Sequence, residues 1–435
     1  MVRRLLALVI LLVPALSAAQ SREILTPVPC RDLRWQYGDP SFQALAGAKA
    51  FFGRYEGGIY RIEVPDNWNG ELILWARGGR SDEGPQGAIV QPEMPGSTGG
   101  SARLREHLIK HGYAWATSSV RCNGSGPGLG LLDTLHLREV FSMLHAGAAP
   151  TRLYLAGSSI GGGVVARGMH VLPTTFAAGL AMCPAMTPRF DFAVSVAAAA
   201  EAISGIQLHE ETLQADLERM RQVLGTPDHY TQKGRQLASV QVGITGGPRP
   251  FALEGLAARF EANIRDGARD DPAYRAASNR EVAYTLDERL GLSAAALNKQ
   301  VRRTAGDAIL RGPNSPYVET SALDGKIQRP LLTLHGTGDF QVPISGERVL
   351  RQVANKAGKR ELLVQRIMRI PGHCRFSDEE QIQAFDDLFK WVKEGKRPEG
   401  DDVMADLRDA GRKFTNPLRR GDPGALTLPV ASSTR

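Results

Sequence analysis

Short apolar runs alternate along this chain with stretches in which apolar residues recur at helical spacing. Gly58-Ile-Tyr-Arg-Ile-Glu-Val-Pro65 alternates apolar with polar and stops at a proline, which predicts a half-exposed strand. Glu71-Leu-Ile-Leu-Trp-Ala76 is largely apolar and runs into Arg77-Gly78-Gly79-Arg80, a buried strand emptying into a glycine loop. Residues 101–111 read as a helix and Tyr113–Val120 as the next strand. A second glycine-rich loop, Asn123–Gly130, leads into residues 131–147, where Leu131, Leu132, Leu135, Val140 and Leu144 fall at near-helical spacing. Leu153–Leu155 then opens a strand, Gly163–His170 a helix, Ala177–Cys183 a strand and, far downstream, Pro330–His335 another.

Strands that alternate with helices pair in parallel, because each crossover carries the chain back across the sheet. The pattern predicts an α/β fold with an open, mostly parallel central sheet flanked by helices, built from residues 20–184 and 329–395. Between these blocks, residues 185–328 carry helical patterns, such as Glu210 to Leu224 and Thr285 to Leu297, and no buried strand. That composition predicts an inserted helical cap. The tail, 396–435, is charged, contains Pro398, Pro417 and Pro423, and reads as either wrapped on the body or mobile.

Composition narrows the class. At 42% hydrophobic and 23% charged, the 435-residue chain is neither disordered nor fibrous. Arg3 and Arg4 precede an apolar run from Leu5 to Leu16, and Ser17-Ala18-Ala19 offers small residues for cleavage, so residues 1–19 read as a secretory signal peptide. The run of about twelve residues is shorter than the roughly twenty that a spanning helix needs. The expectation is a secreted or periplasmic protein with no stable membrane insertion after signal cleavage. Cleavage removes two arginines and lowers the formal net charge from +7 to +5. The remaining basic residues are scattered, which argues against a nucleic-acid partner. Cys30, Cys122, Cys183 and Cys374 include no CxxC pair, so no metal site is expected, and an even count in an exported chain favours two disulfides of three possible connectivities.

Candidate chemistry centres on Gly157-Ser158-Ser159-Ile160-Gly161, which fits G-x-S-x-G between a strand and a helix. A sharp strand-to-helix turn holds the middle serine proud of the sheet, and the helix N-terminus behind it presents backbone N–H groups to developing negative charge. Ser158 lacks the glycine two residues before it. A dinucleotide fingerprint fails on spacing, and no P-loop lysine follows, so no cofactor is expected. A serine nucleophile needs a base and a carboxylate to orient that base. Asp339 lies in His335-Gly-Thr-Gly-Asp-Phe-Gln-Val-Pro343 at the carboxyl end of a strand, where ligands gather in open α/β sheets. His373 lies in Ile370-Pro-Gly-His-Cys-Arg-Phe376, ahead of a helix beginning near Asp378.

In this order, Ser159, Asp339 and His373 and their surroundings resemble the α/β-hydrolase family over roughly residues 55–184 and 328–395. The resemblance implies Ser159 as nucleophile, His373 as general base and then acid, and Asp339 as the orienting acid. It also implies an oxyanion hole at Ile160 and Gly79, the latter in Trp75-Ala-Arg-Gly-Gly79, where Arg77 stands at a position usually held by histidine. Cys374, next to the histidine, is similar to the arrangement in tannase-like and feruloyl-esterase-like enzymes, whose cysteine bridges to one beside the nucleophile. Position 158 is serine here, leaving Cys183 or Cys122 to reach that edge. The implied activity is hydrolysis of small-molecule or polymer-derived carboxylic esters. A serine peptidase or amidase on the same residues and a non-catalytic binding protein on the same scaffold are the alternatives. Oligomeric state is not legible in the chain.

Overall fold

The computed structural model describes residues 40–56, 58–79, 94–95, 103–120, 127–145, 149–311 and 323–415. The expected signal peptide at 1–19, Cys30, Cys122 and the first half of the second glycine loop lie outside them.

Eight strands form the central sheet: β1 (Ala48–Tyr55), β2 (Gly58–Pro65), β3 (Glu71–Ala76), β4 (Ala114–Ser118), β5 (Arg152–Ser158), β6 (Ala178–Met182), β7 (Leu331–Gly336) and β8 (Leu363–Met368). Their spatial order is 1-2-4-3-5-6-7-8. β2 runs antiparallel to β1 and β4, and all other neighbours are parallel, so the mostly parallel sheet expected from the alternating pattern is what forms.

Period-two alternation in the central strands divides the core between two faces. Leu72, Leu74, Leu153 and Leu155 pack on one side with α2 (Pro127–Leu144), α3 (Ile160–Val171) and α9 (Ser345–Lys356). Ile73, Trp75, Tyr154 and Ala156 pack on the other with α1 (Arg103–Lys110) and α10 (Asp378–Glu394). A capping box from Ser377 and Glu380 starts α10 immediately after the histidine loop, which fixes where that loop must end.

Two strands depart from the expected pattern. β1 has no apolar run because it is an edge strand half-exposed along its length, so its signal is weak. β2 was expected to be half-exposed, but its polar Glu63 is fully buried. There Glu63 receives two bonds from Arg105 at 2.7 and 2.8 Å and one from Trp115 Nε1 at 2.8 Å. Leaving one member of such a pair unpartnered at that depth costs about 3–5 kcal/mol, so the alternation reflects a paired charge and not a solvent face.

The segment between β6 and β7 is helical: α4 (Thr187–Ser204), α5 (Leu213–Leu224), α6 (Gln232–Ile244), α7 (Ala252–Gly267) and α8 (Ala294–Gln300). Its apolar faces form a separate core that includes Phe192, Val196, Leu217, Leu237, Leu256 and Phe260. Phe340, from the loop after β7, inserts into that core and joins the helical segment to the sheet. Beyond α10, the chain to residue 415 wraps along β8, the other edge strand. Asp401 N–H donates to Gln365 O at 2.7 Å, Asp401 Oδ2 accepts from Ile367 N–H at 2.7 Å, and Val403 and Leu407 pack on Ile367. The tail thus covers backbone groups that an edge would leave open.

Candidate active site

Ser159 stands between β5 and α3 with φ 57° and ψ −123°, a conformation that costs a non-glycine residue about 1–3 kcal/mol. Its backbone is clamped from both sides. The N–H donates to Met182 O at 3.0 Å, and the C=O accepts from Gly163 N–H at 3.0 Å and Ala185 N–H at 2.9 Å. The flanking glycines are steric necessities. A Cβ at Gly161 would lie 2.0 Å from Ala76 O, and one at Gly157 would lie 2.6 Å from the same oxygen and 2.8 Å from Gly161 O. β3, β5 and the first turn of α3 therefore meet with no room for a methyl group. Ser158 is fully buried, as the end of a core strand should be.

The structure brings the three expected side chains together from across the sheet. His373 Nε2 is 2.8 Å from Ser159 Oγ, and His373 Nδ1 is 2.7 Å from Asp339 Oδ2. Asp339 is fully buried, and its other oxygen accepts from Gln341 N–H at 3.0 Å and Val342 N–H at 2.8 Å. Burial alone would raise its carboxyl pKa, but the charge and hydrogen bond of His373, the nearby His335 and the Val342 N–H bring it below the ordinary value. Asp339 is thus an anion throughout the neutral range, aimed at one imidazole nitrogen. That nitrogen must then carry a proton, which leaves Nε2 as acceptor for the serine hydroxyl.

The loops carrying Asp339 and His373 are bound to each other and to the helical segment. Thr337 N–H donates to Met368 O and Gly338 N–H to Ile370 O, each at 2.8 Å. A Cβ at Gly255 in α7 would lie 1.8 Å from Gly338 O, so that helix rests directly on the acid loop. Arg249, buried ahead of α7, donates from Nε to Thr337 O at 2.6 Å and sits 4.6 Å from the Phe340 ring centroid. Burial lowers its pKa to about 10 against the pull of Asp339, which leaves it a cation at neutral pH.

Beneath the acid loop lies a second buried pair. His335 faces Glu347 Oε1 from Nδ1 at 3.3 Å and Val342 O from Nε2 at 2.9 Å, so both ring nitrogens meet acceptors, the arrangement of an imidazolium. Glu347 is completed by Thr333 Oγ1 at 2.7 Å and Gln365 Nε2 at 2.5 Å. Burial pulls the His335 pKa down, but the Glu347 hydrogen bond and charge, with Asp339 behind them, carry it above its ordinary value of 6.5. A pKa raised on folding contributes stability that is complete below the unfolded value and is lost as pH rises through the folded one. Between about pH 6.5 and pH 9 the wild-type protein is therefore expected to lose more stability in chemical denaturation than His335→Gln. Equal losses would contradict the assignment.

At the entrance, Gly79 abuts the first residue of α3: a Cβ there would fall 2.6 Å from Ile160 Cγ1. The first-turn N–H groups of α3, Ile160 among them, have no carbonyl partner within the helix. Arg77, where histidine is usual, is buried and supports this loop, donating from Nε to Ser119 O at 2.5 Å and from Nη1 to Gly78 O at 2.8 Å. Of the two cysteines left open as partners, Cys183 bridges Cys374, and the Cys374 sulfur lies 3.4 Å from His373 Nε2. Cys183, His373 and Cys374 also form the one His/Cys/acid cluster with converging ligand atoms among the described residues, and its sulfurs are engaged with each other.

Ser159 and His373 open into a cavity of about 510 Å³, lined also by Gly78, Gly79, Gly255, Arg259, Phe340 and Arg375 among others. That volume fits a small organic ligand. Arg249, Arg259, Arg375 and the His335–Glu347 pair were not expected from the chain. Only Arg375, two residues past His373, carried a positional signal; the rest depend on contacts between distant segments.

No protein-family model matches the chain, and no curated protein matches it. Among solved structures it is similar to feruloyl esterase B from Aspergillus oryzae, with 13% identity, 79% of this chain and 80% of that chain covered, and a TM-score of 0.45. It is similar also to the acylaminoacyl peptidase of Pyrococcus horikoshii, with 14% identity, TM-score 0.42, and 82% of this chain against 43% of that one. A third is the Pyrococcus furiosus esterase Pf2001, with 12% identity, TM-score 0.37 and coverage of 80% and 88%. The strand order, the serine turn between β5 and α3, and the succession Ser, Asp, His along the chain give this protein the α/β-hydrolase fold.

Proposed function

We propose that the chain is an exported serine hydrolase that cleaves carboxylic esters through an acyl-enzyme on Ser159. The observation that carries this reading is the unbroken hydrogen-bonded line from Ser159 Oγ through His373 to Asp339, at 2.8 and 2.7 Å. His373 Nε2 takes the hydroxyl proton as Ser159 Oγ attacks the ester carbonyl, then returns it to the leaving alcohol. Asp339 holds the imidazole in the required tautomer and stabilises the imidazolium that forms. The N–H groups of Ile160 and Gly79 receive the oxyanion, each such donor contributing about 3 kcal/mol. Water, activated by the same histidine, releases the acid. The helices of 185–328 act as a cap that shapes the pocket, through Gly255, Ala258 and Arg259 on α7. The apolar N-terminal run with its small-residue site, together with the Cys183–Cys374 disulfide, supports export.

The test is a panel of 4-nitrophenyl esters against the matching 4-nitroanilides. Turnover of esters with little or none of anilides is expected. Comparable anilide turnover would favour the peptidase reading, and inertness toward both would favour a binding protein.

A further inference from the structure

The cavity beside Ser159 is asymmetric in charge. Among the described residues lining it, Arg259 and Arg375 are the groups that carry positive charge, and no aspartate or glutamate lines it. Arg259 projects from α7 with its side chain 23% exposed, and one of its terminal nitrogens donates to Asp266 Oδ2 at 2.6 Å. Asp266 is already shared with Arg189 at 3.1 Å and Arg269 at 3.9 Å, so one carboxylate serves three guanidinium groups. Arg259 Nε is shielded from water and has no acceptor among the described residues. Arg259 also lines the cavity, so its guanidinium stands beside any ligand that fills it, while Asp266 offsets only part of its charge. Arg375 is exposed, has no carboxylate partner among the described residues, and lies along Gly372 at the mouth of the same cavity.

We propose that Arg259 and Arg375 form an anion subsite and that the preferred substrate is an ester bearing a free carboxylate, such as the monoester of a dicarboxylic acid or the acid end of a hydroxy-acid oligomer. The inference rests on the ester-hydrolase reading above and deepens it. Two guanidinium groups, one of them partly neutralised by Asp266, balance a single negative charge, which suits a carboxylate monoanion. The planar fork of each arginine matches carboxylate geometry, and the half-enclosed site strengthens the pairing. A neutral analogue would forgo the charge-assisted pairing with both guanidinium groups, which discriminates against it.

The experiment compares kcat/KM within two isosteric pairs on the full chain. One pair is the 4-nitrophenyl monoester of adipic acid and its primary-amide counterpart, with the charge on the acyl side. The other is the butyrate ester of 4-hydroxybenzoic acid and that of 4-hydroxybenzamide, with the charge on the alcohol side. The anionic member of at least one pair is expected to be favoured tenfold or more, with the preference shrinking as salt rises from about 50 to about 500 mM. Arg259→Gln and Arg375→Gln are each expected to lower that ratio by about threefold or more, and the double variant to bring it close to unity. Arg375 is exposed and has no hydrogen-bond or ion-pair partner among the described residues, so its variant reports on binding even if Arg259→Gln destabilises the Asp266 cluster. Hydrolysis of the neutral esters with no anion preference in either pair, or a preference that survives both substitutions, overturns the subsite and leaves the ester-hydrolase reading standing. Absence of turnover together with absence of fluorophosphonate labelling overturns that reading, and the subsite with it.

Discussion

Ser159→Ala is expected to lower ester kcat/KM by about 10⁵-fold or more while leaving the fold intact. The hydroxyl contributes no packing that alanine lacks, and the positive φ of residue 159 is imposed by backbone bonds to Met182, Gly163 and Ala185, which alanine retains. What disappears is the hydroxyl oxygen 2.8 Å from His373 Nε2, and with it the covalent route. Water entering the vacated space would be left with the oxyanion donors and binding alone, which explains why the residual rate is small but finite. The measurement is steady-state hydrolysis by the purified variant, with thermal unfolding as the control. A loss of less than tenfold with the fold intact would mean that another residue performs the attack.

Asp339→Asn is expected to cost about 10⁴-fold in kcat, through a proton placed on the wrong nitrogen. The direction follows from the hydrogen bonds around the carboxylate. One oxygen accepts from the N–H groups of Gln341 and Val342, and an asparagine can satisfy both only by keeping its carbonyl oxygen there. Its amide NH₂ then faces His373 Nδ1, which must become the acceptor, and the ring proton moves to Nε2. That proton points at Ser159 Oγ and prevents the histidine from acting as a base. The expected signature is a collapsed kcat with KM little changed, because residue 339 does not line the cavity. Equal falls in kcat and in thermal stability would instead indicate a structural role.

Much of this architecture is legible in the chain, and the reasons for the gaps are physical. β3, β5, β6 and β7 are buried on both faces, so each appears as a continuous apolar run, and the glycines around Ser159 mark a turn that nothing larger fits. The three proposed active residues announce themselves by type, order and position at strand ends. β1 is faint because an edge strand needs no apolar face, and β2 misleads because its alternation hides a buried charge pair. The partner of Cys374 depends on the register of β6 against β7, which sets Cys183 beside the histidine loop through its N–H bond to Leu334 O at 2.7 Å. Arg249 and Arg259 lie in a helical segment whose faces are distinguished only by what they pack against. Their nearness to Asp339 and to the cavity is a product of tertiary structure.

In the proposed mechanism Ser159 is a hydroxyl activated by His373 and Asp339. The most direct test treats the folded protein with a fluorophosphonate probe and locates the adduct by peptide mass mapping. The predicted result is a single phosphonylated site on the peptide containing Ser159, formed rapidly in the wild type, slowly in Asp339→Asn and not at all in Ser159→Ala. No adduct on the folded wild type, or an adduct on a different serine, would contradict it.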